Sequence, residues 1–363
     1  MVSWQVCGSS LRHPNNVGLG RRRFTYWQNR ALIRPSPILI VAVVLALMLS
    51  GCAKTEEADD STTGITFASD GLTLYGILDL PSARKGKIPA VVLIHGSGPQ
   101  DRNETVGAVK PFQDIGRGLA DRGIAVLRYD KRTLTYGSSW TKQQIIDVTV
   151  REEVLDDALA GVQCLRRRTE VDPQRIFVLG HSLGGWAAPL IAEQDPRIAG
   201  IIMLAPSAAD FDKTFVRQVK YRSKIGAIPR ETAEKLVSEA KQGFEALRAG
   251  KFPDDQFLLG ASGKYWKNFL ARNPVKIVTT LPQRVLILQG EKDYQVTVAD
   301  DLPIWEKALK ASAKKNYRIV RFPTHNHLFV SIEGESTGNE YGIPGHVDRK
   351  VIEAIAAWIE SSK

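Results

Sequence analysis

The chain has 363 residues, 43% of them hydrophobic and 24% charged, with a formal net charge of +10. This composition excludes collagen-like, low-complexity and disordered classes and supplies a sizeable core for one large domain or two small ones. The charge does not indicate nucleic-acid binding: residues 1–51 carry six arginines and no Asp or Glu, and the remainder holds 43 basic against 39 acidic side chains, a mixed solvated surface.

In chain order, the first feature is Ile38–Leu49, an unbroken apolar run of twelve residues behind an arginine-rich stretch. A membrane-spanning helix needs about 20 residues, so this run is too short to be one. A basic stretch, a short apolar stretch and a small-residue site are the parts of a secretory signal. Leu49-Ser50-Gly51-Cys52 resembles the bacterial lipoprotein cleavage box. That resemblance implies cleavage before Cys52 and acylation (palmitate) of Cys52. The product would be a membrane-attached protein of the bacterial cell envelope, and Ala53 favours the outer membrane over inner-membrane retention. The long region before the apolar run departs from the pattern. It leaves two alternatives open, a later translation start or a twin-arginine signal at Arg21-Arg22-Arg23-Phe24. The mature chain would keep only Cys52 and Cys164, which excludes a disulfide framework, and the apolar helical pattern around Cys164 predicts a buried thiol.

Residues 52–63 are small and polar and read as a tether. Ile65–Ala68 and Leu72–Leu80 flank Ser69-Asp70-Gly71, the signature of a β-hairpin. Strands then alternate with helices: strands at Ala90–Ile94, Ile124–Tyr129, Arg175–Leu179, Ile198–Leu204, Arg284–Gln289 and Tyr317–Phe322, and helices at Phe112–Arg122, Val150–Arg168, Leu183–Gln194, Ala299–Lys310 and Val347–Ser361. Apolar β-branched strands alternating with helices predict an α/β fold, a mostly parallel sheet with helices on both faces. Ser207–Thr280 breaks the alternation. It is charged, helical in pattern and rich in aromatics (Phe211, Phe215, Tyr221, Phe244, Tyr265, Trp266 and Phe269 among them). We therefore read residues 64–206 and 281–363 as the core and 207–280 as a helical cap over the carboxyl ends of the strands, where open α/β sheets bind ligands. Those aromatics fit either a substrate pocket or the cap's own small core.

Strand Arg175–Leu179 runs into Gly180-His181-Ser182-Leu183-Gly184 and then a helix. This is G-x-S-x-G in strand–turn–helix context, the nucleophile elbow, with Ser182 at its apex. A serine nucleophile needs a base. Of six histidines, His325 and His327 share the loop after the last strand, and His346 lies near a helix start. The loop after Arg284–Gln289 offers two carboxylates, Glu291 and Asp293. Strand Ala90–Ile94 ends in His95-Gly96-Ser97-Gly98, a turn of backbone N–H groups. Asp130, Lys131 and Arg132 read as a structural ion-pair cluster. Gly260–Lys264 lacks the spacing of a phosphate loop, and no Cys/His cluster has zinc-site spacing.

These four motifs in this order resemble the α/β-hydrolase superfamily over Leu72–Ile359. Gly96–Arg102 and Tyr129–Arg132 are similar to capped bacterial esterases and acyl hydrolases near its dienelactone-hydrolase and prolyl-oligopeptidase branches. The resemblance implies the α/β-hydrolase fold and a catalytic Ser182, Asp293 and His327. Asn326-His327-Leu328 favours His327 over His325, and Gly290-x-x-Asp293-x-x-Val296 favours Asp293 over Glu291. It also implies an oxyanion hole from the N–H groups of Ser97 and Leu183, an acyl-enzyme on a small-molecule ester, and no metal or organic cofactor. Two alternatives stand beside it: a serine aminopeptidase or oligopeptidase with the same triad, and a non-catalytic surface binding lipoprotein.

Overall fold

The structure, a computed structural model, describes residues 62–361 except Arg84. The N-terminal signal and Cys52 lie outside the described residues. Among the described residues no helix is long and apolar enough to cross a membrane.

Eight strands form one sheet: β1 (Thr62–Ser69), β2 (Leu72–Asp79), β3 (Ile88–Ile94), β4 (Ala125–Tyr129), β5 (Val171–His181), β6 (Gly200–Leu204), β9 (Arg284–Gly290) and β10 (Tyr317–Phe322). Two short strands, β7 (Phe257–Leu258) and β8 (Ala261–Ser262), pair separately. The sheet order is β1-β2-β4-β3-β5-β6-β9-β10. The β1–β2 and β2–β4 pairs are antiparallel and every later pair is parallel. This is the α/β-hydrolase architecture the sequence predicted. β1 starts at Thr62, so the last two residues of the presumed tether are strand, paired with Asp79 and Leu78.

β3 is buried along its whole length because both faces of the sheet are covered. Val92 and Ile94 join one apolar cluster with the Leu183–Gln194 helix, while Val91 and Leu93 join the other with Phe112, Ile355 and Trp358. β5 repeats the split, with Ile176 and Val178 on one face and Phe177 and Leu179 on the other. Cys164 is buried in the first cluster, and burial pushes its thiol pKa up, as suits an inert packing residue.

The predicted helix Val150–Arg168 is not uniform. Arg151–Asp156 is a π-helical turn and Asp157–Arg166 is α-helical. In this turn and just after it two carboxylates face buried cations: Glu153 meets Lys131 at 2.7 Å, and Asp157, the first residue of the α-helix, meets Arg132 at 2.5 Å. Arg132 also donates to Ser69 Oγ at 3.1 Å, and Arg128 pairs with Asp79 at 2.6 Å. Asp130 instead faces Arg102. A buried pair broken on one side leaves an uncompensated charge in low dielectric, typically at a cost of ~3–5 kcal/mol. Asp157→Ala should therefore lower the unfolding free energy by that much, seen as a lower urea midpoint by circular dichroism. An unchanged midpoint would refute the assignment.

Between β6 and β9 the chain leaves the sheet for four helices, Phe211–Lys224, Arg230–Arg248, Gly263–Leu270 and Pro274–Val278. Phe244, Leu247, Phe252, Leu258 and Trp266 form a core of this insertion's own. The insertion is fastened to the loop after β9. Asp301, fully buried, accepts from Ala208 N and Ala209 N at 3.0 and 3.1 Å and from Arg217 Nη2 at 2.6 Å. Tyr221 stacks on Tyr294 at 5.1 Å and donates to Ser336 O at 2.6 Å.

Candidate active site

The carboxyl ends of β3, β5, β9 and β10 carry the turn at Gly96, Ser182, Asp293 and His327 respectively. Ser182 follows β5 directly and has φ 54° and ψ −113°, a conformation L-residues avoid at a typical cost of ~1–3 kcal/mol. It is held by its N–H donating to Leu204 O at 2.9 Å and by its C=O accepting from Trp186 N at 3.0 Å. The glycines around it are required sterically. A Cβ on Gly180 would lie 2.0 Å from Gly184 O, and one on Gly184 would lie 2.1 Å from Ile94 O. The Leu183–Gln194 helix begins at this point, so its positive end faces the serine.

Asp293 and His327 meet after two separate strands. His327 Nδ1 donates to Asp293 Oδ2 at 2.6 Å, and both residues are buried. Asp293 Oδ1 accepts from Gln295 N at 2.7 Å and Val296 N at 3.0 Å, and Gln289 Nε2 approaches Oδ2 at 3.3 Å. Asn326 shapes the histidine loop, its Oδ1 accepting from Leu328 N and Val330 N. The competing residues face elsewhere. His325 Nε2 lies 3.0 Å from Asp348, Glu291 pairs with Arg321 at 2.9 Å, and the exposed His346 lies 3.0 Å from Asp114.

The turn at Gly96 reaches the serine: a Cβ on Gly96 would be 3.4 Å from Ser182 Cβ. Among the described residues, the N–H groups of Ser97 and Leu183 donate to no protein acceptor. His95 points away into the core, its Nε2 3.0 Å from Asp101 O, and burial lowers its pKa to about 4, so it is neutral. His181 is buried beside Ser182. Its Nε2 lies 3.0 Å from His327 O, its Nδ1 lies 3.0 Å from Glu104 Oε2, and its ring centre is 4.6 Å from that of His327. Burial opposes ionisation of both His181 and Glu104. The opposing charge of the partner, together with the His327 carbonyl and Asp293 for His181 and with His95 and the Gly96 N–H for Glu104, more than offsets that penalty, so the His181 pKa is raised and the Glu104 pKa lowered.

Two residues here, Gln289 and Glu104, carry no sequence signal, and Lys131 is marked in the sequence only as part of a structural ion-pair cluster. Gln289 is a buried polar residue at the carboxyl end of the apolar run Val285–Leu288. Glu104 and Lys131 join the site through their partners: Glu104 Oε1 accepts from Gly96 N at 2.6 Å, and Lys131 Nζ donates to Gly96 O at 3.1 Å. Of the insertion's aromatics, Phe269 stacks on Trp186, four residues past the serine, at 4.2 Å and 11° between planes. Among the described residues no group of three or more His, Cys, Asp or Glu is arranged to hold a metal ion.

Residues 91–334 match the model of the alpha/beta hydrolase family. The chain is 39% identical over 320 residues to esterase EstD of Thermotoga maritima, covering 87% of this chain and 73% of that protein. It is 27% identical over 143 residues to thiohydrolase apmlB of Arthrinium phaeospermum, covering 39% of this chain and 42% of that protein. Among solved structures, ferulic acid-bound Est1E from Butyrivibrio proteoclasticus superposes with a TM-score of 0.53 at 20% identity, covering 82% of this chain and 98% of that one. The Pseudomonas aeruginosa protein PA2218 gives a TM-score of 0.53 at 17% identity, covering 85% and 97%. At those identities the likeness is one of fold. Taken with the strand order and the serine elbow, the matched family model and the EstD relationship establish that this chain belongs to the alpha/beta hydrolase family.

Proposed function

We propose that the chain is a serine esterase in which Ser182 is the nucleophile, His327 the general base and Asp293 the residue that orients the base. The observation that carries this reading is the convergence of three elements. Ser182 is strained on its elbow, it lies against the Gly96 turn, and the Asp293–His327 pair sits beside His181. With its Nδ1 proton directed at Asp293, the imidazole keeps Nε2 as an acceptor. It takes the Ser182 proton as Oγ attacks the ester carbonyl. The tetrahedral oxyanion accepts from the N–H groups of Ser97 and Leu183. The C–O bond to the leaving alcohol breaks as His327 returns the proton, and water then hydrolyses the acyl-enzyme by the same route. The kinship with EstD supports ester bonds over peptide bonds, and the Trp186–Phe269 stack supports an apolar or aromatic acyl group.

The test is hydrolysis of p-nitrophenyl esters from acetate to decanoate, alongside labelling by a fluorophosphonate probe. Turnover with labelling at Ser182 is expected, and the chain-length optimum reports the pocket. Labelling without ester turnover would favour a peptidase, and neither would favour a binding protein.

We also propose export as a lipoprotein anchored through Cys52, on the strength of the Leu49–Cys52 tetrad. Mass spectrometry of detergent-extracted protein should find an acylated Cys52 as the first residue. A chain still carrying Met1 would overturn it.

A further inference from the structure

Lys131 is almost wholly buried, and its ammonium does more than pair with Glu153. Nζ donates to Glu153 Oε1 at 2.7 Å and to Gly96 O at 3.1 Å. Gly96 O belongs to the peptide unit whose other end is the N–H of Ser97. A trans peptide is planar, with its N–H antiparallel to its C=O, so fixing the direction of Gly96 O fixes the direction of the Ser97 N–H. No peptide among the described residues is cis. The preceding peptide is held as well, because Gly96 N donates to Glu104 Oε1 at 2.6 Å. The turn is therefore gripped from both sides, while the Ser97 N–H is left without a protein acceptor. A cation on a carbonyl oxygen also withdraws electron density through the amide, which makes the N–H at the other end a stronger donor.

We propose that Lys131 is a positioning residue for oxyanion stabilisation: by holding Gly96 O against the buried Glu153 it aims and polarises the Ser97 N–H toward the developing negative charge. This rests on the serine-esterase reading, with Ser97 N–H as an oxyanion donor. Lys131 itself touches neither substrate nor Ser182. Its effect belongs to the transition state, where charge appears on the carbonyl oxygen, and not to ground-state binding. A neighbouring ion pair makes the contrast. Asp130, half-buried, faces Arg102 and accepts from the Arg102 side chain and N–H, and it makes no hydrogen bond to residues 95–98.

The experiment uses Lys131→Met and the double variant Lys131→Met/Glu153→Gln. The double variant leaves no orphan carboxylate in the core and so guards against a failure to fold. Each is assayed on a p-nitrophenyl ester and on the matching thionoester, whose sulfur accepts hydrogen bonds poorly. Removing a whole oxyanion donor costs ~10²–10³ in kcat, so misaiming one should cost about 10- to 100-fold. The expected result is that loss in kcat on the oxoester with KM unchanged, and a smaller loss on the thionoester, so that the oxoester-to-thionoester ratio falls about tenfold. Asp130→Asn should leave the ratio at the wild-type value. Folded variants with a wild-type ratio, or equal losses on both substrates, overturn the role of Lys131 while leaving the esterase intact. Wild-type protein that neither turns over esters nor takes the fluorophosphonate label overturns the underlying reading, and with it this inference.

Discussion

Ser182→Ala is expected to lower kcat on a p-nitrophenyl ester by ~10⁶ and to abolish fluorophosphonate labelling, since removal of a triad nucleophile costs about that much. The protein should remain folded, because the elbow is held by backbone bonds from Ser182 N to Leu204 O and from Trp186 N to Ser182 O, which alanine keeps. The strain at φ 54° supplies a second readout. Ser182→Gly should be equally inactive yet melt above Ser182→Ala. Glycine relieves a conformation costing ~1–3 kcal/mol and returns only ~0.5–1 kcal/mol as chain entropy. A glycine variant melting at or below the alanine variant would show that the elbow is not strained. Residual activity within tenfold of wild type in either variant would remove Ser182 from the mechanism.

Asp293→Asn is expected to lower kcat by ~10⁴ with little change in fold, and the reason is which way the amide must face. Asp293 Oδ1 accepts from Gln295 N and Val296 N, so the oxygen of an asparagine must stay there. The NH₂ is then forced toward His327 Nδ1, 2.6 Å from the position of Oδ2. Facing a donor, Nδ1 must act as acceptor, so the ring proton moves to Nε2 and His327 can no longer take the serine proton. Gln289 Nε2, 3.3 Å from the same position, would also face a donor. Glu291→Gln, at a carboxylate paired with Arg321, is the control and should keep wild-type kcat. Activity in Asp293→Asn within tenfold of wild type, or loss in Glu291→Gln to match it, would assign the acid wrongly.

Residue order made part of this site legible. Gly180-His181-Ser182-Leu183-Gly184 could be read because an elbow is a local object: a strand, a forced glycine on either side of the serine, and a helix immediately after. The strands were legible because apolar β-branched runs between helical patterns have few ways to be buried other than a parallel sheet covered on both faces. The pairing of His327 with Asp293 was a choice between neighbours two residues apart, His325 or His327 and Glu291 or Asp293. Periodicity does not distinguish such neighbours, and the choice rested on resemblance.

What sequence order could not convey is where long-range polar partners fall. Glu104 reaches Gly96 across eight residues and faces His181 at the end of the adjacent strand, and Lys131 reaches Gly96 across 35. In the sequence these are charges of the kind that usually lie in solvent, and Lys131 read as part of a structural cluster. They become part of the frame of the candidate site because β4, β3 and β5 are neighbours in the sheet, so that the loops after them meet at one end of it. A charge buried there must be paired, and the pairs that formed also hold the backbone turn beside the serine. The π turn at Arg151–Asp156 is a case of the same kind. A helical pattern foretold the helix, but its widening falls where Glu153 and Asp157 meet cations that arrive from another part of the chain. Local sterics and apolar periodicity are written in neighbouring residues, whereas the pairing of buried charges depends on which strand ends the topology brings together.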